Sequence, residues 1–215
     1  MIIIGVTGFA RTGKDLYCNI AKNICAMNGL IAKRYAFADE LKREVEPFLR
    51  DLCGVDVWTN DTEIKTDIRD FLVWYGTTFW RKREPLRWVS RVETAIKNDR
   101  HIDVAFVSDA RYPNEGHWVH ANEGWLVHLT KYSKVSPDGG RTWNRVYQKA
   151  PNSEEEKNDP IVKKMSDFQI VWEDMVNSGE VKINMPDLVN NMYLREEVFK
   201  SLQACPLLSQ RVTQY

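Results

Sequence analysis

A glycine-bounded loop that carries a lysine constrains this chain more than any other feature. Residues 8–15 read Gly-Phe-Ala-Arg-Thr-Gly-Lys-Asp, after the apolar run of residues 2–6 and before a helix-like run over residues 16–27. A strand, a Gly-x-x-x-x-Gly-Lys loop and a helix make the phosphate-binding P-loop, whose backbone N–H groups, helix N-terminus and lysine attract a polyphosphate such as that of ATP. The residues predicted to bind it are Arg11, Thr12, Gly13, Lys14 and Asp15. The alternative is a glycine turn with an incidental lysine.

The residue that follows the lysine departs from the usual P-loop. This position is commonly Ser or Thr, whose hydroxyl binds Mg²⁺, whereas here it is Asp15. A carboxylate suits a hard cation, so Asp15 could bind the metal directly or through water. It could instead cap the helix, where the helix dipole favours a negative charge. Both interpretations of Asp15 stay open.

Composition limits the class of protein and its partners. The chain has 215 residues, 43% of them hydrophobic, and 30 basic residues balance 30 acidic ones, so no overall basic field favours a polymeric nucleic acid. No apolar run reaches the length of a membrane span, and no signal peptide precedes the loop. The four cysteines show no metal-binding spacing, which fits free thiols in a reducing cytoplasm.

Strand-like and helix-like segments alternate along the chain, and this pattern predicts an α/β fold with a mainly parallel sheet. Strands are expected at residues 2–6, 31–37, 104–107, 125–130 and 168–172, and helices at residues 16–27, 39–52, 63–80, 86–98, 114–122 and 186–202. Ligands of such sheets bind at the carboxyl ends of the strands. The loop, Asp39 and Asp109 each follow a predicted strand, so they are expected along one edge.

Past residue 130 the pattern changes. Residues 131–148 alternate on both sides of Asp138-Gly139-Gly140, which predicts a hairpin. The polar, proline-bounded stretch 151–160 is expected to be a mobile loop, and the tail from Pro206 is expected to be loose.

Two further groups of residues carry chemistry. Asp109 follows an apolar strand, where P-loop proteins usually place an acidic residue near Mg²⁺, and Arg111 lies beside it; the alternative for Asp109 is to cap the next turn. Arg69, Val73, Gly76, Thr77 and Trp80 recur at helical spacing, so Gly76 indicates close approach of a ligand or a second helix. Trp88 between Arg87 and Arg91 could stack on a base. The four histidines share no triad or metal spacing and are interpreted as structural.

The chain resembles the bacteriophage deoxynucleoside monophosphate kinases, a branch of the P-loop nucleoside monophosphate kinase group. The match covers the chain to about residue 130 and includes the Gly-Lys-Asp ending of the loop and the Phe-Ala-Asp-x-Leu-Lys segment at residues 37–42. Its most specific part is Ser-Asp-Ala-Arg-Tyr-Pro-Asn-Glu at residues 108–115, and Arg69, Gly76-Thr77 and Trp88 resemble the helix pair that binds the acceptor nucleotide. Leu16 and Val73 depart from the family, where Thr and a base-reading Gln are expected.

The resemblance implies a fold, a reaction and a set of roles. It implies a single P-loop kinase domain over residues 1–215, a three-layer sandwich with a helical acceptor-binding insertion at residues 55–100 and a hairpin or lid at residues 131–160. The implied reaction moves the γ-phosphoryl group of ATP, with Mg²⁺, to the 5′-phosphate of a deoxynucleoside monophosphate. The implied catalytic residues are Lys14, Arg69, Asp109 and Arg111, with Lys131 or Arg145 as further candidates. The acceptor would be bound by Arg69, Gly76, Thr77, Trp88 and Asp109, and the metal by Asp15 or Asp109.

Other functions stay open. A P-loop kinase of another small acceptor, such as dephospho-coenzyme A or a sugar, would use the same loop, and so would a non-catalytic nucleotide-binding module. A P-loop hydrolase switch would need a switch segment that the sequence does not display. The expected partners are ATP and a deoxynucleotide, with neither a membrane nor polymeric nucleic acid, and aromatic residues near Trp118 and Trp125 permit a homodimer.

Overall fold

The computed structural model describes residues 1–59, 61–175 and 185–215. Its strands are β1 (Ile2–Thr7), β2 (Ala32–Tyr35), β3 (Val104–Ala110), β4 (Trp125–Val135), β5 (Asn144–Tyr147) and β6 (Phe168–Glu173). Its helices are α1 (Lys14–Met27), α2 (Phe37–Cys53), α3 (Thr62–Val73), α4 (Arg87–Asn98), α5 (Pro113–Ala121), α6 (Ser153–Met165), α7 (Met185–Val189) and α8 (Met192–Ala204), with a π-helical segment at Trp74–Arg81. The chain divides into two compact units, one of Met1–Arg34 with His101–Tyr215 and one of Tyr35–Arg100.

The strands form a single sheet that is mainly parallel. Its order is β2-β3-β1-β4-β5, and β6 pairs with another stretch of β4. β1 is parallel to both β3 and β4, β6 is parallel to β4, and β5 is antiparallel. β1 therefore lies inside the sheet, and all six of its residues are buried, as its continuous apolar sequence predicts. The predicted α/β fold with a central, mainly parallel sheet is confirmed.

Helices cover both faces of the sheet in the first unit. Ile2, Ile4 and Val6 of β1 join the core that α1 and α8 complete with their own apolar residues. The alternate residue Gly5 faces the other way, because a Cβ atom placed on it would lie 2.9 Å from Val119 of α5. His128 of β4 reaches Asp159 of α6 on that second face. Successive strand residues point to opposite faces, so one strand supplies both cores of a three-layer α/β/α arrangement.

The second unit is helical and has a small core of its own. Val45, Leu49, Val57 and Ile68 form that core. The predicted helix over residues 63–80 forms as α3 and continues, without a break, into the π-helical segment. A π-helix bonds residue i to i+5 instead of i+4. The three- and four-residue spacing that was expected to align residues 69–80 on one face therefore holds only along α3.

The prediction of a mobile loop at residues 151–160 is wrong, because α6 begins at Ser153. The side chain of Asn152 accepts a hydrogen bond from the Glu155 N–H at 2.9 Å and caps the helix. Acidic residues fill the first turn and lysines the last, which the helix dipole favours. Within α6 only Glu155 and Val162 are buried, so the segment lacks the apolar periodicity that indicates a helix.

The C-terminal part differs from expectation in two ways. The helix expected over residues 186–202 is divided into α7 and α8 next to Asn191, whose side chain caps α8 by accepting from the Leu194 N–H. The tail expected to be loose is packed, because Leu208 and Val212 are fully buried in the core that α1 and α8 share. Among the described residues, the helices are too short or too polar to cross a bilayer. The expected homodimer and cytoplasmic location stay predictions.

Candidate functional site

The loop between β1 and α1 has a shape that only glycine allows at both ends. Gly8 has φ +124°, and a Cβ atom there would lie 2.3 Å from the carbonyl oxygen of Leu129. Gly13 has φ +96°, and its Cβ would lie 2.8 Å from the ring of Trp172. Arg11, between them, also has a positive φ of 66°. The glycines of the motif thus serve backbone geometry that side chains would block.

Lys14, the lysine of the motif, bends back over its own loop. Its Nζ donates to the carbonyl oxygens of Gly8 at 2.7 Å and of Phe9 at 2.6 Å, and the residue is only 7% exposed. Burial, followed by the nearby positive charge of Arg111, lowers the pKa of Lys14 from 10.5 to about 8. An anion in the loop would offset both effects, so the ammonium group is placed where a phosphate would stabilise it.

Thr12 is held from two sides. Its hydroxyl donates to the Phe9 carbonyl at 2.8 Å, and its own carbonyl accepts from Trp172 Nε1 at 2.8 Å. Trp172 comes from β6, 160 residues along the chain, and is almost fully buried. Trp172 was not predicted as a site residue, because no local pattern connects β6 to the loop.

Asp109 and Arg111 lie at the strand end beside the loop. β3 runs on to Ala110, which pairs with Thr7, so the residues that follow Thr7 and Ala110 are neighbours at one edge. The charges of Asp109 and Arg111 both act on Lys14. The structure thus brings Lys14, Asp109 and Arg111 together, whereas Asp39 belongs to the second unit and its expected place on the same edge stays a prediction.

Glu155 of α6 links the loop to Arg111. Its Oε2 accepts from the Ala10 N–H at 2.7 Å, and its Oε1 pairs with Arg111 Nη1 at 2.6 Å. The side chain of Gln148 donates to the Ala10 carbonyl oxygen, so the backbone N–H and C=O of Ala10 are both bonded. Glu155 was not predicted as a site residue, because the segment that carries it was expected to be a loop.

The two carboxylates expected to bind Mg²⁺ differ in their surroundings. Asp15 Oδ1 accepts from Arg34 Nε at 2.8 Å, and the Asp15 side chain is 69% exposed. Asp109 is partly buried at the end of β3. Within residues 1–59, 61–175 and 185–215, no three His, Cys, Asp or Glu side chains cluster as a complete metal site. One or two carboxylates fit Mg²⁺, which keeps several waters and takes its other ligands from phosphates.

A cavity of about 370 Å³ opens beside the loop on the α6 face of the sheet. Phe9 and Thr12 line it together with His128, Thr130, Lys131, Tyr147, Gln148, Asp159 and Lys163. His128, which the sequence analysis interpreted as structural, is buried and lies 3.1 Å from Asp159. Lys131 pairs with Asp174 at 3.0 Å, and the Arg145 guanidinium lies 4.6 Å from the ring centre of Tyr132.

Of the predicted acceptor residues, Asp109 belongs to the first unit, and the other four belong to the second. Arg69 is exposed on α3, while Gly76 is buried and Thr77 half-buried in the π-helical segment. A Cβ on Gly76 would lie 2.8 Å from Leu41 of α2, so the close approach that its glycine indicates is helix packing. Trp88 is 3% exposed, and its Nε1 donates to the Gly76 carbonyl at 3.0 Å. The acceptor roles of these residues stay predictions.

The basic residues around Trp88 are paired within the second unit. Arg87 Nη2 lies 2.8 Å from Glu44 Oε1, and Arg91 Nη2 lies 2.9 Å from Glu44 Oε2. The Arg87 guanidinium also lies 3.6 Å from the ring centre of Trp80. Arg87 and Arg91 are thus both paired with the carboxylate of Glu44.

The likeness of this chain to known proteins is structural and distant. No family model and no curated protein matches the sequence. Among solved structures, the chain is similar to a shikimate kinase from Acinetobacter baumannii in complex with shikimate, with a TM-score of 0.43, 13% sequence identity, and coverage of 99% of this chain and 96% of that chain. A likeness at this level identifies neither a family nor a substrate, and the fold class assigned above follows from the sheet topology.

Proposed function

We propose that this protein is a phosphotransferase that moves the γ-phosphoryl group of ATP to the 5′-phosphate of a deoxynucleoside monophosphate. The observation that carries the proposal is the loop of residues 8–14, with its obligatory glycines and buried Lys14, next to Asp109 and Arg111. Strand, loop and helix have the order and backbone shape that bind polyphosphates. The choice of acceptor rests on the sequence resemblance at residues 69–88 and 108–115.

Lys14 and the N–H groups of residues 11–14 would hold the β- and γ-phosphates of ATP. Asp109, with Asp15 as the second candidate, would hold Mg²⁺, which would offset the charge of those phosphates when it is bound. Arg111 would neutralise the charge that builds on the transferred group. An arginine in this role can accelerate transfer by about 10³-fold or more.

No strong general base is needed for this reaction. The oxygen that attacks belongs to an acceptor phosphate that is already ionised near pH 7, so positioning and charge neutralisation carry the rate. Asp109 is therefore proposed as a metal and positioning residue. Arg69 would grip the acceptor phosphate, and Gly76, Thr77 and Trp88 would shape the acceptor pocket.

The hairpin of β4 and β5 is proposed as the moving part of the site. The hairpin belongs to the segment of residues 131–160, for which the resemblance implies a lid. Closure over the phosphates would exclude water, which otherwise competes with the acceptor and hydrolyses ATP.

A coupled assay of ADP release tests this function. The protein is mixed with MgATP and, in separate reactions, with each common deoxynucleoside monophosphate, dephospho-coenzyme A and a panel of sugars. Turnover that is fastest with a deoxynucleotide supports the proposal, with the Lys14→Met variant as the inactive control. Turnover only with another acceptor would replace the deoxynucleotide by that acceptor. ATP binding without turnover on any acceptor would identify a non-catalytic module and overturn the proposal.

A further inference from the structure

Glu155 contacts the loop directly, and the proposed reaction does not use it. It is 7% exposed, although glutamate is rarely this buried unless it is paired. Both of its oxygens are engaged, one by the Ala10 N–H and one by Arg111. A carboxylate kept at this depth must be compensated, and here the compensation comes from two parts of the same site.

The three glutamates at the start of α6 allow the position to be compared with its neighbours. Glu154, Glu155 and Glu156 all lie in the first turn, where the helix dipole favours any acid. Glu154 and Glu156 are exposed, and only Glu155 is buried against the loop. Helix stability alone would be served by all three, so the contacts of Glu155 with Ala10 and Arg111 need a separate explanation.

The pair leaves most of Arg111 available. A guanidinium has five N–H donors, and the bond to Glu155 uses one nitrogen, Nη1. The Arg111 side chain remains 40% exposed. The contact therefore fixes the direction of the guanidinium and leaves donors for a second anion.

Glu155 bonds Ala10 of the loop, and this bond occupies none of the amides that are proposed to bind phosphate. The amides proposed to bind phosphate are those of residues 11–14, and Ala10 precedes them. Glu155 and Gln148 bond the N–H and the carbonyl of Ala10, respectively. Asn152, which caps α6, in turn bonds the backbone N–H of Glu155. A chain of contacts thus runs from α6 through Glu155 to the loop and to Arg111.

We infer that Glu155 is a positioning residue that orients Arg111 toward the γ-phosphate of ATP and joins Arg111 and the loop into one preorganised unit. This inference rests on the proposed function for the role of Arg111 at the γ-phosphate. Glu155 itself touches neither ATP nor the acceptor. It acts by holding one guanidinium in the geometry that the transfer requires, which lowers the cost of ordering that side chain when ATP binds.

The test compares the affinity for MgATP with that for MgADP, which lacks the γ-phosphate. In Glu155→Gln the ratio of the two dissociation constants should shift about tenfold against ATP, the size of one charge-assisted hydrogen bond. Arg111→Ala should shift the ratio by a similar factor, and the double variant should shift it no further, because Glu155 acts through Arg111. Isothermal titration calorimetry without any acceptor measures all four proteins. Glu154→Gln and Glu156→Gln remove the same charge from the same turn and should leave the ratio unchanged.

Two results for the Glu155→Gln variant and the double variant would contradict the inference. A Glu155→Gln variant that weakens ATP and ADP equally would reduce Glu155 to a support of the loop and overturn the inference, as would a double variant in which the two effects multiply. If Glu155→Gln folds poorly, Glu155→Asp keeps the charge and shortens the side chain, and it should shift the ratio in the same direction by a smaller factor. An unchanged ratio in Glu155→Asp would then overturn it.

The same data separate this inference from the proposed function. If the wild-type protein phosphorylates no deoxynucleotide but the ratio still shifts as expected, the acceptor assignment fails and the role of Glu155 stands. If the wild-type protein is active and the ratio does not shift, the inference alone fails. If neither nucleotide binds, both fail.

Discussion

The glycine-lysine loop of the first unit and the predicted acceptor helices of the second use glycine and large side chains in opposite ways. In the first unit, Gly8 and Gly13 shape the backbone, and the buried Lys14 donates to the carbonyl oxygens of Gly8 and Phe9. In the second unit, Gly76 and Trp88 serve packing, through Leu41 and through the bond between the indole and the Gly76 carbonyl. Arg69, by contrast, is exposed on α3.

This difference shows where local sequence is informative. A backbone anion site depends on positive φ values and on a helix start, and both are encoded within a few residues. A pocket formed by helix side chains depends on which faces are already occupied by packing. A glycine or tryptophan there fits a ligand site and a helix contact equally well until the neighbours are known.

The largest expected effect concerns Lys14. Replacing it by Met keeps most of the side-chain volume but removes the charge, and we expect kcat to fall by about 10³-fold, as for the loss of a preorganised donor. Steady-state ADP release measures the change. Lys22→Met makes the same substitution on the same helix and should leave kcat unchanged; similar losses in both variants would show that Lys14 has no special place in the reaction.

The second expected effect concerns the loop backbone. Gly8→Ala places a Cβ atom on a residue with a positive φ, 2.3 Å from the Leu129 carbonyl oxygen. We expect this substitution to lower the free energy of unfolding by about 3 kcal/mol. Gly29→Ala also has a positive φ, of 71°, but its Cβ would meet nothing within 4 Å, so about 1 kcal/mol is expected there. Urea denaturation measures both. Equal losses would mean that close packing does not constrain the loop.

The third expected effect tests the exposed arginine of the second unit. If Arg69 grips the acceptor phosphate, Arg69→Ala should raise the KM for the deoxynucleotide about tenfold, the value of one charge-assisted contact, with little change in the KM for ATP. Lys82→Ala removes an exposed positive charge from the same unit and serves as the control. An unchanged acceptor KM in Arg69→Ala would leave the second unit without an assigned phosphate ligand.

The smallest expected effect follows from the pKa of Lys14. Because burial lowers this pKa to about 8 in the folded protein, the folded state releases a proton that the unfolded state keeps up to about pH 10.4. The free energy of unfolding should therefore increase as the pH rises from 8 toward 10, because the unfolded state holds more protons than the folded state in this interval. Below pH 8 both states hold the proton, so no increase from Lys14 is expected there. The difference in stability between the wild type and Lys14→Met should change over that interval and stay constant from pH 6 to 7.

The same shift predicts proton uptake on binding. A phosphate beside Lys14 favours the ammonium form, so at pH 9 the binding of ATP should take up part of one proton. Calorimetry in two buffers of different ionisation enthalpy measures the uptake. The Lys14→Met variant should show none, and a wild-type protein without uptake would place the phosphates away from Lys14.

Elements with a strong local signal were predicted best. β1, α1 and the hairpin of β4 and β5 follow from an apolar run, a glycine-lysine loop and an Asp-Gly-Gly turn. α6 was missed because only Glu155 and Val162 of it are buried, so its sequence looks like that of a loop. The buried tail was missed for a related reason, since Leu208 and Val212 complete a core that α1 and α8 supply from elsewhere in the chain.

The amino-acid sequence by itself determined the glycine-bounded loop with its lysine, the alternation that yields a mainly parallel sheet, and the acidic and basic residues that flank the strand ends. These depend on interactions among neighbours in the chain. Tertiary structure alone decided that Trp172 closes over Gly13, that Glu155 joins Arg111 to the loop, and that Trp88 bonds to Gly76. Such contacts join residues 12 to 160 positions apart, and their formation depends on the packing of whole elements, which no local pattern of residues records.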